Sequence, residues 1–270
     1  MARRKYTESS IQKILAKGLG QGSGVKYKPF YHVRDVPSKG LSFMVKGLKT
    51  GRIHHYLSKI EFSAHLLAEH NTNVIDIREQ YALLPREETQ EIAKELGFKH
   101  PRYPGSNCFV VMTTDIVLTL TNGYKAICIK TSESLSEKNK TARRTLEKLL
   151  IEKTYWERRS ITWNVITEKD LPWVKIDNLK MLWTSMTSKE KDHLNTSISK
   201  YAQIFLGIWN KNIILIDIIK ETSTIMNIST NDAFTMFARG AWMRNIPIDL
   251  NRRICFHCNV KLRENKNDKH

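Results

Sequence analysis

The stretch Cys108–Thr131, CFVVMTTDIVLTLTNGYKAICIKT, decides the fold of this chain. Two runs rich in β-branched residues, 108–120 and 124–131, flank the pair Asn122-Gly123. Asn-Gly between two such runs is a strong hairpin signal, because both positions of a tight two-residue turn need a positive φ. The sequence therefore predicts two antiparallel strands joined by this turn.

The hairpin also predicts a close pair of opposite charges. With Asn-Gly as the turn, Thr121 faces Tyr124, and counting back along both strands places Asp115 directly across from Lys130 with Cβ atoms ~5 Å apart. In phosphodiester hydrolysis, such an acid holds a divalent metal and such a lysine orients water or stabilises developing charge. This is the Asp…X-Lys half of the PD…(D/E)xK nuclease pattern. The alternative is a cross-strand salt bridge, which contributes little when exposed.

The flanking segments predict an α/β domain over residues 1–168. A strand over 74–84, a helix over 87–96, an amphipathic helix over 141–159 and a buried strand over 161–167 follow from periodicity and end signals. A strand–helix–strand succession predicts a crossover onto the same sheet. We therefore expect a mixed β-sheet flanked by helices.

The sequence changes character after Thr167. Residues 168–178 are polar and are interpreted as a linker, and the remaining periodicity is helical over 188–209, 213–226 and 231–244. Strand-like segments at 246–250 and 252–257 follow. Two helices joined by a short turn and followed by strand-like segments predict a mainly α-helical, winged-helix-like domain over 169–270 for partner binding and possibly DNA binding.

The charge balance indicates a polyanionic partner. Forty-four Lys and Arg against 27 Asp and Glu give a net charge of +17, and nucleic acid is the first candidate. A basic surface for solubility or for an acidic protein is the alternative. The sequence lacks an apolar run of ~18 residues and has no apolar leader after its basic start. We therefore expect a cytoplasmic protein with no membrane partner.

Glu61 is the candidate for a further acid on a preceding helix. The segment YLSKIEFSAHLL, residues 56–67, is typical of a helix that starts at Ser58. Ser58 and Glu61 also have the spacing of a capping box, in which the glutamate reaches back to the helix start. Spacing alone favours the cap.

Five blocks, in order, resemble the TnsA family, the endonuclease partner of a DDE-type transposase in heteromeric bacterial transposons. They are HHYLSKIEFSAHLL (54–67), VIDIREQYALLP (74–85), VMTTDIVL (111–118), AICIKTSESL (126–135) and RTLEKLLIEKTYWERR (144–159). The resemblance covers residues 25–168 well, and the remainder only by position and helical character. It implies a restriction-endonuclease-like fold for the first domain.

Carried over residue by residue, the resemblance implies that Glu61, Asp115 and Lys130 are the catalytic acid, acid and lysine. It also implies Mg²⁺, with Mn²⁺ as an alternative, held by Glu61, Asp115 and the backbone carbonyl of Ile129. The position two before the lysine departs from the family, since Cys128 replaces an oxygen-bearing side chain and a thiol is a poor ligand for a hard cation. That departure puts a second metal site in doubt. Glu147 is either an additional acid or a solvated helix residue.

The resemblance implies a strand-cutting subunit that hydrolyses the 5′ side of each transposon end for cut-and-paste transposition. Its implied partners are transposon-end DNA, a TnsB-like DDE transposase and a TnsC-like AAA+ ATPase. Two other hypotheses stay open. One is a catalytically inactive DNA-binding or assembly subunit, and the other is a stand-alone nuclease.

Three smaller groups complete the candidates. Lys138, Lys140, Arg143 and Arg144 either grip DNA phosphate at a helix start or form an ordinary solvated face. Cys255 and Cys258 are half a zinc site or, as the favoured alternative, free thiols. The remaining group consists of histidines interpreted as surface or packing residues: His54, His55, His65 and His70.

Overall fold

The computed structural model describes residues 6–35 and 40–263, and the chain divides between Leu171 and Pro172 into two compact units. The elements of the first unit are α1 (Glu8–Ala16), β1 (Phe43–Lys46), β2 (Ile53–Tyr56), α2 (Lys59–His70), β3 (Val74–Ala82), α3 (Arg86–Glu95), β4 (Thr113–Leu120), β5 (Gly123–Ile129), α4 (Ser132–Leu135), α5 (Ala142–Glu157) and β6 (Thr162–Ile166).

The main sheet of this unit is mixed and has the strand order β3-β4-β5-β6. β3, β4 and β5 are antiparallel neighbours, whereas β6 runs parallel to β5 after the crossover through α5. The expected mixed sheet with flanking helices is therefore present. β1 and β2 form a separate antiparallel pair.

Helices α3 and α5 enclose an apolar core with the sheet. Their buried side chains pack with residues of β4, β5 and the segment before β4, and burial of this apolar surface stabilises the unit. The core consists of Leu83, Ile92, Ala93, Met112, Val117, Ala126, Ile151, Tyr155 and Trp156.

The hairpin forms, but the predicted register is wrong. Leu120 pairs with Gly123, so Thr121 and Asn122 form the turn and Gly123 begins β5 with a φ of +133°. The amide of Thr121 donates to the carbonyl of Asn73 at 2.9 Å. This contact with the start of the neighbouring strand draws the turn one residue toward β4.

The register shift moves each partner by two positions along β5. Continued past the last pair, Ile116 with Ile127, it places Cys128 rather than Lys130 across from Asp115. A shift of two positions preserves the alternation of side chains, whereas a shift of one would turn them to the other face. The Asp115 and Lys130 side chains therefore still meet.

The second unit contains α6 (Trp173–Thr187), α7 (Ile198–Ile208), α8 (Leu215–Met226) and α9 (Thr230–Trp242). The linker interpretation of 168–178 is wrong in its second half, because α6 begins at Trp173 and buries Ile176, Leu179 and Leu182. Within the described part of this unit there is no strand, and Ile248–Leu262 is an isolated bridge. The winged-helix arrangement stays a prediction.

The segment 252–257, predicted as a strand, instead caps a helix. The amides of Leu215 and Ile216 at the start of α8 donate to the carbonyls of Cys258 and Phe256, each at 2.9 Å. The first amides of a helix lack partners within it, and α8 has no side-chain cap.

Among the described residues, no helix is long and apolar enough to cross a membrane.

Candidate active site

Asp115 occupies the end of the β4–β5 ladder. Backbone pairing between these strands stops at Ile116 and Ile127, and beyond it the amide of Ile129 donates to Oδ2 of Asp115 at 2.6 Å. The carboxylate thus takes the place of a backbone carbonyl where the strands separate. Among the described residues, no hydrogen bond reaches its other oxygen, Oδ1, which leaves that oxygen available to a ligand.

Lys130 follows β5 directly and reaches back to the same carboxylate. Its Nζ lies 3.3 Å from Oδ2 of Asp115 and donates to the carbonyl of Ile129 at 2.8 Å. Burial, the largest single influence, lowers the pKa of Lys130, but Asp115, Cys128 and Glu152 together outweigh it, so the pKa is raised. Lys130 is therefore a fixed positive charge rather than a proton acceptor near neutral pH.

Glu61 lies in the first turn of α2 and is 6% exposed. Its Oε2 accepts from the amide of Leu57 at 3.0 Å, and its Oε1 accepts from Oγ of Ser58 at 2.9 Å. Ser58 caps the helix as expected, since its Oγ accepts from the amide of Glu61 at 3.2 Å, but the full capping box is not formed because the glutamate reaches the amide of Leu57 rather than that of Ser58. Burial raises the pKa of Glu61 to about 7, and the neighbouring Asp115 carboxylate contributes to the increase. The same side chain caps the helix and faces the second acid.

Gln80, near the C-terminal end of β3, supports Glu61, and no sequence pattern pointed to it. Its Nε2 donates to Oε2 of Glu61 at 3.2 Å, and its backbone has a φ of +47°. Non-glycine residues adopt this left-handed conformation at an energetic cost, and such positions concentrate at functional sites. The conformation interrupts β3 beside Asp115 and presents the amide to Glu61.

These groups fit a divalent cation. The Asp115 carboxylate contributes to the raised pKa of Glu61, and a cation between the two carboxylates would remove this repulsion. Carboxylate and carbonyl oxygens are the donors that Mg²⁺ and Mn²⁺ prefer. Glu61 and Asp115 could supply carboxylate oxygens. The carbonyl of Ile129, the third predicted ligand, already accepts from Lys130 and would have to use its second lone pair.

Cys128 does not add a metal ligand. Burial raises the pKa of its thiol, which therefore stays protonated near neutral pH. Its Sγ lies 3.5 Å from Oδ2 of Asp115 and acts as a weak donor. Cys128 thus leaves the site with one metal ligand fewer than the family pattern, while the Asp115 carboxylate that it contacts is retained.

The acid that α5 contributes to this neighbourhood is Glu152, which sequence analysis missed. Burial and the Asp115 carboxylate raise the pKa of Glu152 to about 7, and its Oε1 accepts from Thr114 at 2.7 Å and Trp163 at 3.0 Å. Glu147 instead pairs with Arg144 at 2.7 Å, as a solvated helix residue does. Both glutamates lie in the helical segment RTLEKLLIEK, and only burial distinguishes them.

The basic cluster lies before and within the first turn of α5. Lys138, Lys140 and Arg143 are exposed, while Arg144 is half-buried. Thr141 is the N-cap of α5 but makes no side-chain cap bond to it. The first amide of the helix, that of Ala142, donates to the carbonyl of Asn139 at 2.9 Å, and both interpretations of the cluster stay predictions.

Cys255 and Cys258 are free cysteines in the second unit, half-buried and exposed respectively. Within residues 6–35 and 40–263, no third His, Cys, Asp or Glu joins them in a group that could hold a metal ion. The free thiols favoured by the sequence stay a prediction.

Comparison with known proteins identifies the family. The family model for the TnsA-like endonuclease N terminal matches residues 71–168, a range that includes Asp115 and Lys130 but begins after Glu61. A relative from Escherichia coli, Transposon Tn7 transposition protein TnsA, is 36% identical over 216 residues, which cover 79% of this chain and 76% of the relative. The chain belongs to the TnsA endonuclease family.

Proposed function

We propose that this chain is a metal-dependent DNA endonuclease, the strand-cutting subunit of a heteromeric transposase. One observation carries the proposal: Glu61, Asp115 and Lys130, separated in the sequence, converge on one site, with Oδ1 of Asp115 left available. Family membership and the mixed sheet support a restriction-endonuclease-like fold for residues 1–168, with residues 169–270 as a partner-binding domain.

Each residue has a distinct task. Glu61 and Asp115 would hold Mg²⁺, or Mn²⁺ in its place, and the bound ion would supply an activated water and neutralise charge on the phosphate. Lys130 keeps its proton and stabilises the negative charge that develops on the phosphate oxygens. Gln80 positions Glu61 through its 3.2 Å hydrogen bond. The buried Glu152, whose pKa is about 7, can carry a proton near neutral pH and so limits the negative charge near Asp115.

The proposed substrate is transposon-end DNA, cut on its 5′ side for cut-and-paste transposition. A DDE-type transposase similar to TnsB would cut and join the other strand, and an AAA+ ATPase similar to TnsC would regulate the complex. The net charge of +17 is consistent with a DNA partner. Lys138, Lys140, Arg143 and Arg144 are the residues we propose to contact its phosphates.

A nicking assay tests the proposal. The substrate is a plasmid carrying both transposon ends, incubated with the cognate transposase and Mg²⁺. We expect Asp115→Asn to reduce cleavage of the 5′ strand at least 100-fold, because it removes charge from the cation site. Glu95→Gln is the matched control, since this acid pairs with Arg158 on an exposed surface and should cut normally.

The same assay separates the alternatives. Equal nicking by wild type and Asp115→Asn would contradict the catalytic assignment. A wild-type chain that assembles with the transposase without cutting would instead be an inactive assembly subunit. Cutting by the purified chain without transposase would indicate a stand-alone nuclease.

A further inference from the structure

A second cluster of metal-binding residue types lies apart from the carboxylate pair. His54 on β2 meets His65 and Glu69, which are one turn apart on α2. All three are buried, and their candidate ligand atoms lie within 4.8 Å of one another. In the described parts of the chain, no other group of three or more such side chains has this arrangement.

Each of the two imidazole rings is held in place through its Nδ1 atom. Nδ1 of His54 lies 2.8 Å from Oε2 of Glu79, and Nδ1 of His65 lies 2.8 Å from the hydroxyl of Tyr56. Metal-bound histidines typically donate the proton of the outer nitrogen to a carboxylate or another oxygen, which fixes the tautomer. The Nε2 atoms of both rings are therefore the candidates for ligation.

The inner nitrogen of His65 lacks a hydrogen-bond partner. Its Nε2 is fully buried and lies 3.6 Å from Oε1 of Glu69, which is too long for a hydrogen bond. Each carboxylate oxygen of Glu69 accepts one hydrogen bond from a backbone amide, from Leu48 at 3.0 Å and from Lys49 at 3.1 Å. Each oxygen therefore keeps a further lone pair for a ligand bond. Buried polar atoms in native proteins are nearly always satisfied, so this one calls for a partner.

A fourth donor lies beside His54. Oγ1 of Thr50 lies 2.8 Å from Nε2 of His54. Gly47 borders the same place, where a Cβ would stand 2.5 Å from that nitrogen and 2.7 Å from Thr50 Oγ1. Glycine therefore keeps the ring nitrogen and hydroxyl unobstructed.

We propose that His54, His65 and Glu69 bind a structural Zn²⁺ through two imidazole nitrogens and one carboxylate oxygen, with Thr50 as the fourth ligand. Two neutral imidazoles and a carboxylate suit zinc, whereas Mg²⁺ prefers oxygen ligands. Tetrahedral zinc would draw the ligand atoms to ~3.4 Å from one another. The ion would join β2 to α2, the helix that also carries Glu61.

Zinc content of the intact protein is the first measurement. The full-length chain is made as a Cys255→Ser, Cys258→Ser variant, so that these two thiols cannot bind the metal. We expect about one zinc per chain by elemental analysis after dialysis against Mg²⁺. X-ray absorption at the zinc edge should show nitrogen and oxygen ligands with imidazole scattering and no sulfur.

Substitutions then locate the ion. His65→Phe should weaken zinc binding at least 100-fold in competition with a chromophoric chelator. Two variants should retain zinc: His100→Phe, a buried histidine bound to Thr89, and Asp115→Asn, which disables the proposed nuclease metal site. Retention in Asp115→Asn also makes this proposal independent of the nuclease assignment.

One outcome that overturns the proposal comes from the thiol-free protein itself. A folded chain that carries no zinc and competes with the chelator only weakly would leave His65 and Glu69 as a metal-free polar pair. Zinc retained in a folded His65→Phe chain, or lost in Asp115→Asn, would place the ion elsewhere. If His65→Phe does not fold, the absorption spectrum of the thiol-free protein decides alone, since absence of imidazole scattering refutes the site.

Discussion

Replacing Glu61 with glutamine distinguishes a helix cap from a cation ligand. In the folded chain the pKa of Glu61 is about 7, against an ordinary value of 4.5. A carboxyl group whose pKa is raised by folding stabilises the chain at low pH, and that stability is lost as pH rises from 4.5 through 7. Between pH 5 and pH 8.5, the cost of ionising Glu61 in the metal-free protein grows by about 2–3 kcal/mol.

Glutamine has no such cost but keeps an oxygen for the amide of Leu57 or the hydroxyl of Ser58. One hydrogen bond to the charged carboxylate is lost, which costs ~1.5–3 kcal/mol at alkaline pH. We therefore expect the free energy of unfolding of Glu61→Gln, relative to wild type, to rise by about 2 kcal/mol from pH 5 to pH 8.5. Urea titrations in EDTA, followed by hydrogen exchange of the β3–β5 peptides, measure this in the first unit.

Asp232→Asn is the matched control. Asp232 occupies the same position after Ser229 in a capping motif of α9, and Ser229 donates to it at 2.7 Å. Hydrogen bonding from Lys191 lowers the pKa of Asp232. The stability that its ionised carboxylate contributes is therefore fully present at pH 5 and above. Its variant should show a pH-independent difference between pH 5 and pH 8.5, measured on α9 peptides.

Two results would refute the reasoning. A Glu61→Gln variant that is destabilised equally at both pH values would show that the carboxylate serves only as a cap. Wild type that gains no stability from Mg²⁺ at pH 8.5 would exclude a cation between the carboxylates. With a dissociation constant of ~1 mM, 10 mM Mg²⁺ should add about 1.4 kcal/mol, and Glu61→Gln should lose most of this gain.

Lys130→Met should reduce nicking by about 100-fold or more, because it removes the fixed positive charge that stabilises the phosphate oxygens. An unchanged single-turnover rate would contradict this role. Arg239→Met should destabilise the second unit by ~3–5 kcal/mol in urea unfolding, since this buried guanidinium bonds carbonyls such as that of Ser188, and a loss below ~1 kcal/mol would contradict it. N-ethylmaleimide should label Cys258 but not Cys128 in native protein by mass spectrometry, because Cys128 is buried and burial raises its pKa; rapid labelling of Cys128 would show that the site opens. Nicking at limiting Mg²⁺ should fall as pH drops below about 7, because protons compete with the metal for Glu61, and excess Mg²⁺ should restore it.

Local sequence determined the elements of the nuclease unit and much of its site. Alternation in β4 and β5 is a short-range property, so Asp115 and Lys130 were predicted to be close even though the turn was misplaced by one residue. The amide of Thr121 bonds to Asn73, which is distant in sequence, and local turn preferences cannot anticipate that contact.

Tertiary structure alone decided which polar residues are buried together. Glu147 and Glu152 follow similar patterns in one helix, yet packing against Thr114 and Trp163 buries only Glu152. The sequence likewise predicted a surface or packing role for His65, whereas the fold brings it to Glu69 and His54. A periodic pattern specifies the face of an element, but the pKa values and ligand sets arise from what other elements place against that face.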